Sequence, residues 1–126
     1  MSNIYLHKEL TSTVIECFYT IYNTLGYGFL EKVYENALKI ELEKKGLLVE
    51  KQKSIKVYYD DQIVGIYYAD LIIENKLIVE LKVAERICKE HEYQLINYLK
   101  ATNFELGLLL NFGKEPEIKR KIFTNK

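Results

Sequence analysis

No tryptophan occurs in the 126 residues, and there is one proline, two cysteines and no net charge, the eighteen basic and eighteen acidic side chains cancelling. A single proline, with no Ser/Gly-rich stretch, leaves no sign of a linker or a disordered segment, and the chain reads as one domain over residues 1–126. A chain of this length buries enough apolar surface to fold without disulfides or a structural metal. Cys17 and Cys88 lack C-x-x-C spacing, and His7 and His91 are the other soft ligands; a zinc site is not expected, and reduced thiols in a cytoplasmic protein are. No apolar run approaches the roughly 20 residues of a membrane span, and "MSNIYLHKELTS" has no apolar signal region. Zero net charge argues against the indiscriminate DNA coating that counterion release drives, while leaving room for a local basic strip. Eleven tyrosines hold most of the aromatic content, a residue suited to positions where the ring packs and the hydroxyl reaches water or a polar site.

Apolar residues at Leu6, Leu10, Val14, Phe18, Ile21 and Leu25 recur in steps of three and four, which predicts a helix ended by Gly26. "FLEKVYENALKIELEKKG" repeats that period through Leu30, Val33, Tyr34, Ala37, Leu38 and Leu42 and stops at Gly46, a second helix. The period then changes. "LLVEKQKSIKVYYDD", "QIVGIYYADLIIE" and "KLIVELKV" read as three strands of an antiparallel meander with turns at "DDQ" and "ENK". Helical spacing returns in "ERICKEHEYQLINYLKATN", "FELGLLLNF" reads as a strand buried on both faces, and "EIKRKIF" as an edge strand or a fraying tail. The order α-α-β-β-β-α-β predicts an α/β (α+β) fold with helices on a mixed sheet.

Within "YYADLIIENKLIVELKV" three charges interrupt apolar runs: Asp70, Glu80 and Lys82. Side chains alternate along a strand, so Glu80 and Lys82 share a face. If Glu74, Asn75 and Lys76 form a three-residue loop, Ile73 pairs with Leu77 and Asp70 falls opposite Glu80. A loop of two or four residues would instead put the acids on opposite faces. Two facing carboxylates repel unless something positive lies between them. A divalent cation such as Mg²⁺ or Mn²⁺ would serve, since it prefers hard oxygen ligands and accepts phosphate oxygens in its remaining positions. Lys82 would then orient or deprotonate the attacking water and stabilise charge developing on the phosphate, a set sufficient for phosphodiester hydrolysis. A solvated amphipathic strand face would also account for the three charges. E-x-K alone is common here, recurring at Glu43/Lys45, Glu74/Lys76 and Glu117/Lys119; only the copy at Glu80 lies mid-strand with an acid ten residues upstream.

The surrounding segments resemble a known family. "GFLEKVY", with Gly28, Glu31 and Tyr34, resembles the naming motif of the GxxExxY proteins of the PD-(D/E)XK nuclease superfamily, and "YAD" with "VELK" resembles the superfamily's signature. Ala69 stands where the superfamily's name has proline. "HEYQLINYLKAT" and "LGLLLNFG" resemble the helix and strand that follow, so the likeness covers nearly the whole chain. It implies a restriction-endonuclease-like αβββαβ core, with the first helix an N-terminal addition, and metal-dependent nucleic-acid cleavage as the ancestral chemistry. On that placement Glu31, in the first turn of the second helix, becomes a third acidic group beside Asp70 and Glu80, and Gly28 supports a tight approach into the helix. His91, Gln94 and Tyr98 form one helical stripe, either an ordinary solvated face or one able to hydrogen-bond Lys82, a carboxylate or a phosphate. Tyr34 is expected to pack, and Asn111 carries no assignment. A module that keeps the fold but only binds nucleic acid or a protein partner is the alternative, and a homodimer would supply binding surface that one small chain lacks.

Overall fold

The computed structural model describes residues 6–124. Three helices, α1 (Lys8–Leu25), α2 (Glu31–Lys44) and α3 (Lys89–Lys100), accompany five strands, β1 (Val49–Tyr59), β2 (Gln62–Ile73), β3 (Leu77–Lys82), β4 (Leu106–Asn111) and β5 (Glu117–Ile122). The strands form one sheet in sequence order, antiparallel except for β3 and β4, which run parallel through the α3 crossover. No described helix is long and apolar enough to cross a membrane.

Two layers of apolar side chains hold the sheet between helices. On one face Val14, Phe18 and Ile21 of α1 and Tyr34, Leu38 and Leu42 of α2 pack on Leu71, Ile73, Leu77, Val79, Leu81 and Leu108. On the other, Leu95, Tyr98 and Leu99 of α3 pack on Ile72, Ile78 and Leu109. Strands covered on both faces need apolar residues at every position, which is why β3 and β4 read as near-continuous runs. Glu80 is the one charged residue buried within them, and Asn111 closes β4 fully buried.

The start of α3 differs from the sequence expectation, and two readings that the sequence leaves open are decided. Helix α3 starts at Lys89 rather than near Glu85, because the backbone N–H of Cys88 donates to Nδ1 of His91 and caps the first turn; Ile87, expected on the helix, is a buried loop residue. Gln62 belongs to β2, since Asp60 and Asp61 alone make the hairpin turn with left-handed φ of 55° and 61°. "EIKRKIF" forms β5, an edge strand paired with β4 and rich in the lysines that discourage further pairing.

The hairpin β1–β2 departs from simple alternation. Val49 and Leu71 point under α1 and α2, whereas Ile55 and Ala69, of the same odd parity, point under α3. The inward face therefore switches between Lys51/Leu71 and Lys53/Ala69, at Gln52 and Asp70, the pair missing from an otherwise unbroken register there. Gln52 has φ of 51°, a left-handed conformation that side-chain-bearing residues adopt rarely and at some energetic cost.

Candidate functional site

The loop between β2 and β3 has the odd length on which the carboxylate geometry depends. Glu74, Asn75 and Lys76 turn the chain, the N–H of Lys76 donates to the carbonyl of Ile73 at 3.0 Å, and Ile73 pairs with Leu77. Glu74 also anchors the turn to the start of β1, its Oε2 accepting the N–H of Leu48 at 2.6 Å. With this phase set, Asp70 and Glu80 meet where the ladder stops, one step past the Leu71/Val79 pair.

Their side chains take over from the ladder. The backbone N–H of Asp70 donates to Oε2 of Glu80 at 2.9 Å, and the N–H of Leu81 donates to Oδ2 of Asp70 at 2.8 Å. Each carboxylate is thus held by the other strand's main chain. Glu80 is only 4% exposed, and burial, followed by the neighbouring Asp70, pushes its carboxyl up to about 8. Burial likewise raises Asp70, opposed by the Leu81 N–H. Glu31, at the N-terminus of α2, lies within the field of this pair: burial raises its carboxyl first, then Asp70, while Lys82 acts in the opposite direction. Lys82 makes no ion pair within 4 Å among the described residues, so its ammonium is not neutralised by a close carboxylate.

Two further groups belong to this cluster and escaped the sequence reading. Glu35, 3% exposed, follows Glu31 by one turn of α2. Its Oε1 accepts from Nε2 of Gln52 at 3.2 Å, and the same amide nitrogen lies 3.3 Å from Oδ1 of Asp70. Oε2 of Glu35 is buried without a hydrogen bond, facing Lys32 and Lys51 ammonium groups at 3.5 and 3.7 Å. The i, i+4 spacing of Glu31 and Glu35 was a usable signal in the sequence. Gln52 had none, because its place opposite Asp70 follows from strand register.

The helix-α3 stripe divides. Gln94 Nε2 donates to the Tyr98 hydroxyl at 2.7 Å, and no hydrogen bond among the described residues joins either to Lys82, Asp70 or Glu80. Tyr98 nevertheless lies within the field of Glu80, which together with burial raises its phenol. His91 is engaged at Nδ1 as the cap of α3, and burial and then Lys82 lower its imidazole. In the first motif, Gly28 adopts φ of 113°, open only to glycine. Tyr34 packs as expected, stacked on Phe112 with 4.4 Å between ring centroids, and its hydroxyl donates to the carbonyl of Gly26 at 2.7 Å. Asn111 clamps the segment after Lys82: its Oδ1 accepts the Ala84 N–H and its Nδ2 donates to the Ala84 carbonyl, both at 2.9 Å.

The donors around Asp70 and Glu80 are oxygens, the ligand type of hard divalent cations. No three His, Cys, Asp or Glu side chains among the described residues converge into a protein-only cage. Carboxylate oxygens of this kind suit a hard divalent cation whose shell is completed by waters and phosphate oxygens.

A mixed sheet carrying helices on both faces, with paired acids and a lysine at the point where two central strands part, defines a restriction-endonuclease-like fold. The family model of the PD-(D/E)XK nuclease superfamily matches residues 8–121, and the chain belongs to that superfamily. A search of the curated proteins and a search of the solved structures found no match.

Proposed function

We propose that the chain is a Mg²⁺- or Mn²⁺-dependent nuclease of the GxxExxY type, hydrolysing phosphodiester bonds of nucleic acid in the cytoplasm as one domain. The observation that carries this reading is the interlock of Asp70 and Glu80 through each other's strand, with Lys82 on the same face as Glu80 and its charge acting on both acids. Asp70 and Glu80 would hold the metal, with Glu31 as an auxiliary acid. A bound divalent cation would supply Lewis acidity to the scissile phosphate and a lowered pKa to water. Lys82 orients the attacking water and stabilises charge growing on the phosphate oxygens. Gln52, tied to Glu35, fixes the rotamer of Asp70. Gln94, Tyr98 and His91 border the substrate side. Incubation of the protein with single-stranded, double-stranded and branched DNA and RNA in Mn²⁺ tests the assignment. Cleavage is expected to fall at least about 100-fold in Asp70→Ala and Lys82→Ala; cleavage undiminished by either substitution sinks it.

A second reading, a nuclease fold that binds nucleic acid or a protein partner without cutting, draws on the zero net charge and small size of the chain, which leave little room for a separate nucleic-acid-reading surface. It predicts binding without turnover and no calorimetric Mn²⁺ signal that Glu80→Ala removes.

A further inference from the structure

Between α3 and the far half of the β1–β2 hairpin runs a groove of about 800 Å³. Tyr58 and Tyr67 line one wall, Tyr93 and Tyr98 the other. Tyr58 and Tyr93 are each 59% exposed, and Tyr67 and Tyr98 rings lie 5.7 Å apart at the end where Tyr98 meets the field of Glu80. Large rings left open along a polar-rimmed groove mark a contact surface, since water solvates their faces poorly.

We propose that this groove binds unpaired bases of a single-stranded stretch of nucleic acid, placing the adjoining phosphodiester at Asp70, Glu80 and Lys82; the proposal rests on the nuclease reading of those residues. Three features select this occupant. The charged lining consists of Glu90 and Lys100, which cancel, so the groove offers no track for a polyanionic backbone and suits the neutral part of a nucleotide. The amides of Gln94 and Asn97 on the α3 wall supply the donors and acceptors that base edges read. Tyr98, at one end of the groove, packs in the same cluster as Ala69, the residue before Asp70, so a base held in the groove and a phosphate at Lys82 would belong to one strand. Paired bases have both faces covered by their neighbours and cannot stack on these rings, whereas unpaired ones can. The volume is that of a site for one small-molecule-sized ligand, enough for about one or two bases.

The test uses the absence of tryptophan. In EDTA, which stops metal-dependent cleavage, fluorescein-labelled oligothymidylate and oligouridylate are titrated against wild type, Tyr93→Ala and Tyr93→Trp. Loss of the ring in Tyr93→Ala is expected to weaken binding of at least one single strand by about 5- to 150-fold. Tyr93→Trp is expected to retain affinity and to have its indole emission quenched by that strand, with far less response to a duplex. The proposal is overturned if neither strand binds, if Tyr93→Ala binds as wild type does, or if the indole emission of Tyr93→Trp follows protein concentration rather than oligonucleotide, the mark of a second copy in the groove. Failure here is separable from failure of the nuclease reading. Mn²⁺-dependent cleavage that needs Asp70, with Tyr93→Ala binding unimpaired, removes the groove alone; ring-dependent binding with no cleavage of any substrate removes the nuclease alone.

Discussion

Replacing Glu80 by glutamine should stabilise the metal-free protein at neutral pH, an unusual outcome for a substitution at a buried charged residue. Glu80 is 4% exposed and its carboxyl is raised from the ordinary 4.5 to about 8, chiefly by burial and then by Asp70. Between those two values the folded chain keeps a proton that the unfolded chain releases. Stability therefore falls as pH rises, being fully present below about 4.5 and lost progressively until the folded carboxyl ionises near 8. At pH 7 ionisation of the unfolded chain opposes folding by on the order of 3 kcal/mol. Glutamine cannot ionise, and its side-chain carbonyl can still accept the N–H of Asp70. Glu80→Gln should thus unfold roughly 10 °C above wild type at pH 7, with the gap closing toward pH 4.5. Thermal unfolding followed by circular dichroism across that range, in EDTA, measures it. A variant no more stable than wild type at pH 7, or a gap independent of pH, refutes the burial argument. On the proposed function, Mn²⁺ at about 100 times its Kd should add roughly 2.7 kcal/mol to wild type and nothing to Glu80→Gln.

Gln52→Gly removes the amide that bridges Glu35 and Asp70 while relieving a left-handed backbone. Stability should change little or fall by about 1–2 kcal/mol, because relief of the backbone is offset by the buried Glu35 oxygen left without its donor, while calorimetric Mn²⁺ affinity falls about 10- to 100-fold; unchanged Mn²⁺ affinity would show Gln52 to be merely structural. Asn111→Ala leaves the Ala84 N–H and carbonyl without their shared partner, and urea unfolding should register a loss of about 3 kcal/mol. Gly28→Ala meets no neighbouring atom, so any destabilisation measured comes from the backbone at φ of 113°, about 1–3 kcal/mol. Tyr34→Phe keeps the stack on Phe112 and loses the bond to Gly26, for about 1 kcal/mol by the same urea assay.

The helices, the strands and the facing of Asp70 and Glu80 were legible in the sequence because each depends on local periodicity or on counting. Side chains of Leu77 to Lys82 point to alternate faces, and a three-residue turn with two left-handed residues, Glu74 and Asn75, sets the parity that brings the acids opposite each other. The start of α3 was misplaced because helical spacing continues through Ile87, whereas the cap between Cys88 and His91 decides where hydrogen bonding begins.

Tertiary structure alone decided what surrounds the acids. Strict alternation would leave Ala69 and Leu71 on one face, yet they pack under different helices, because Gln52 breaks the strand's handedness where the hairpin must cross from one core layer to the other. Glu35 lies in a helix that reads as amphipathic and charged, and only the packing of α2 against β1 buries it beside Gln52. The partners of a charge come from distant segments brought together by the core, and periodicity within one segment carries no record of them. The sequence by itself determined which strand holds the acids and the lysine; the packed fold decided how deeply Glu80 is buried, and with it the proton it keeps at neutral pH.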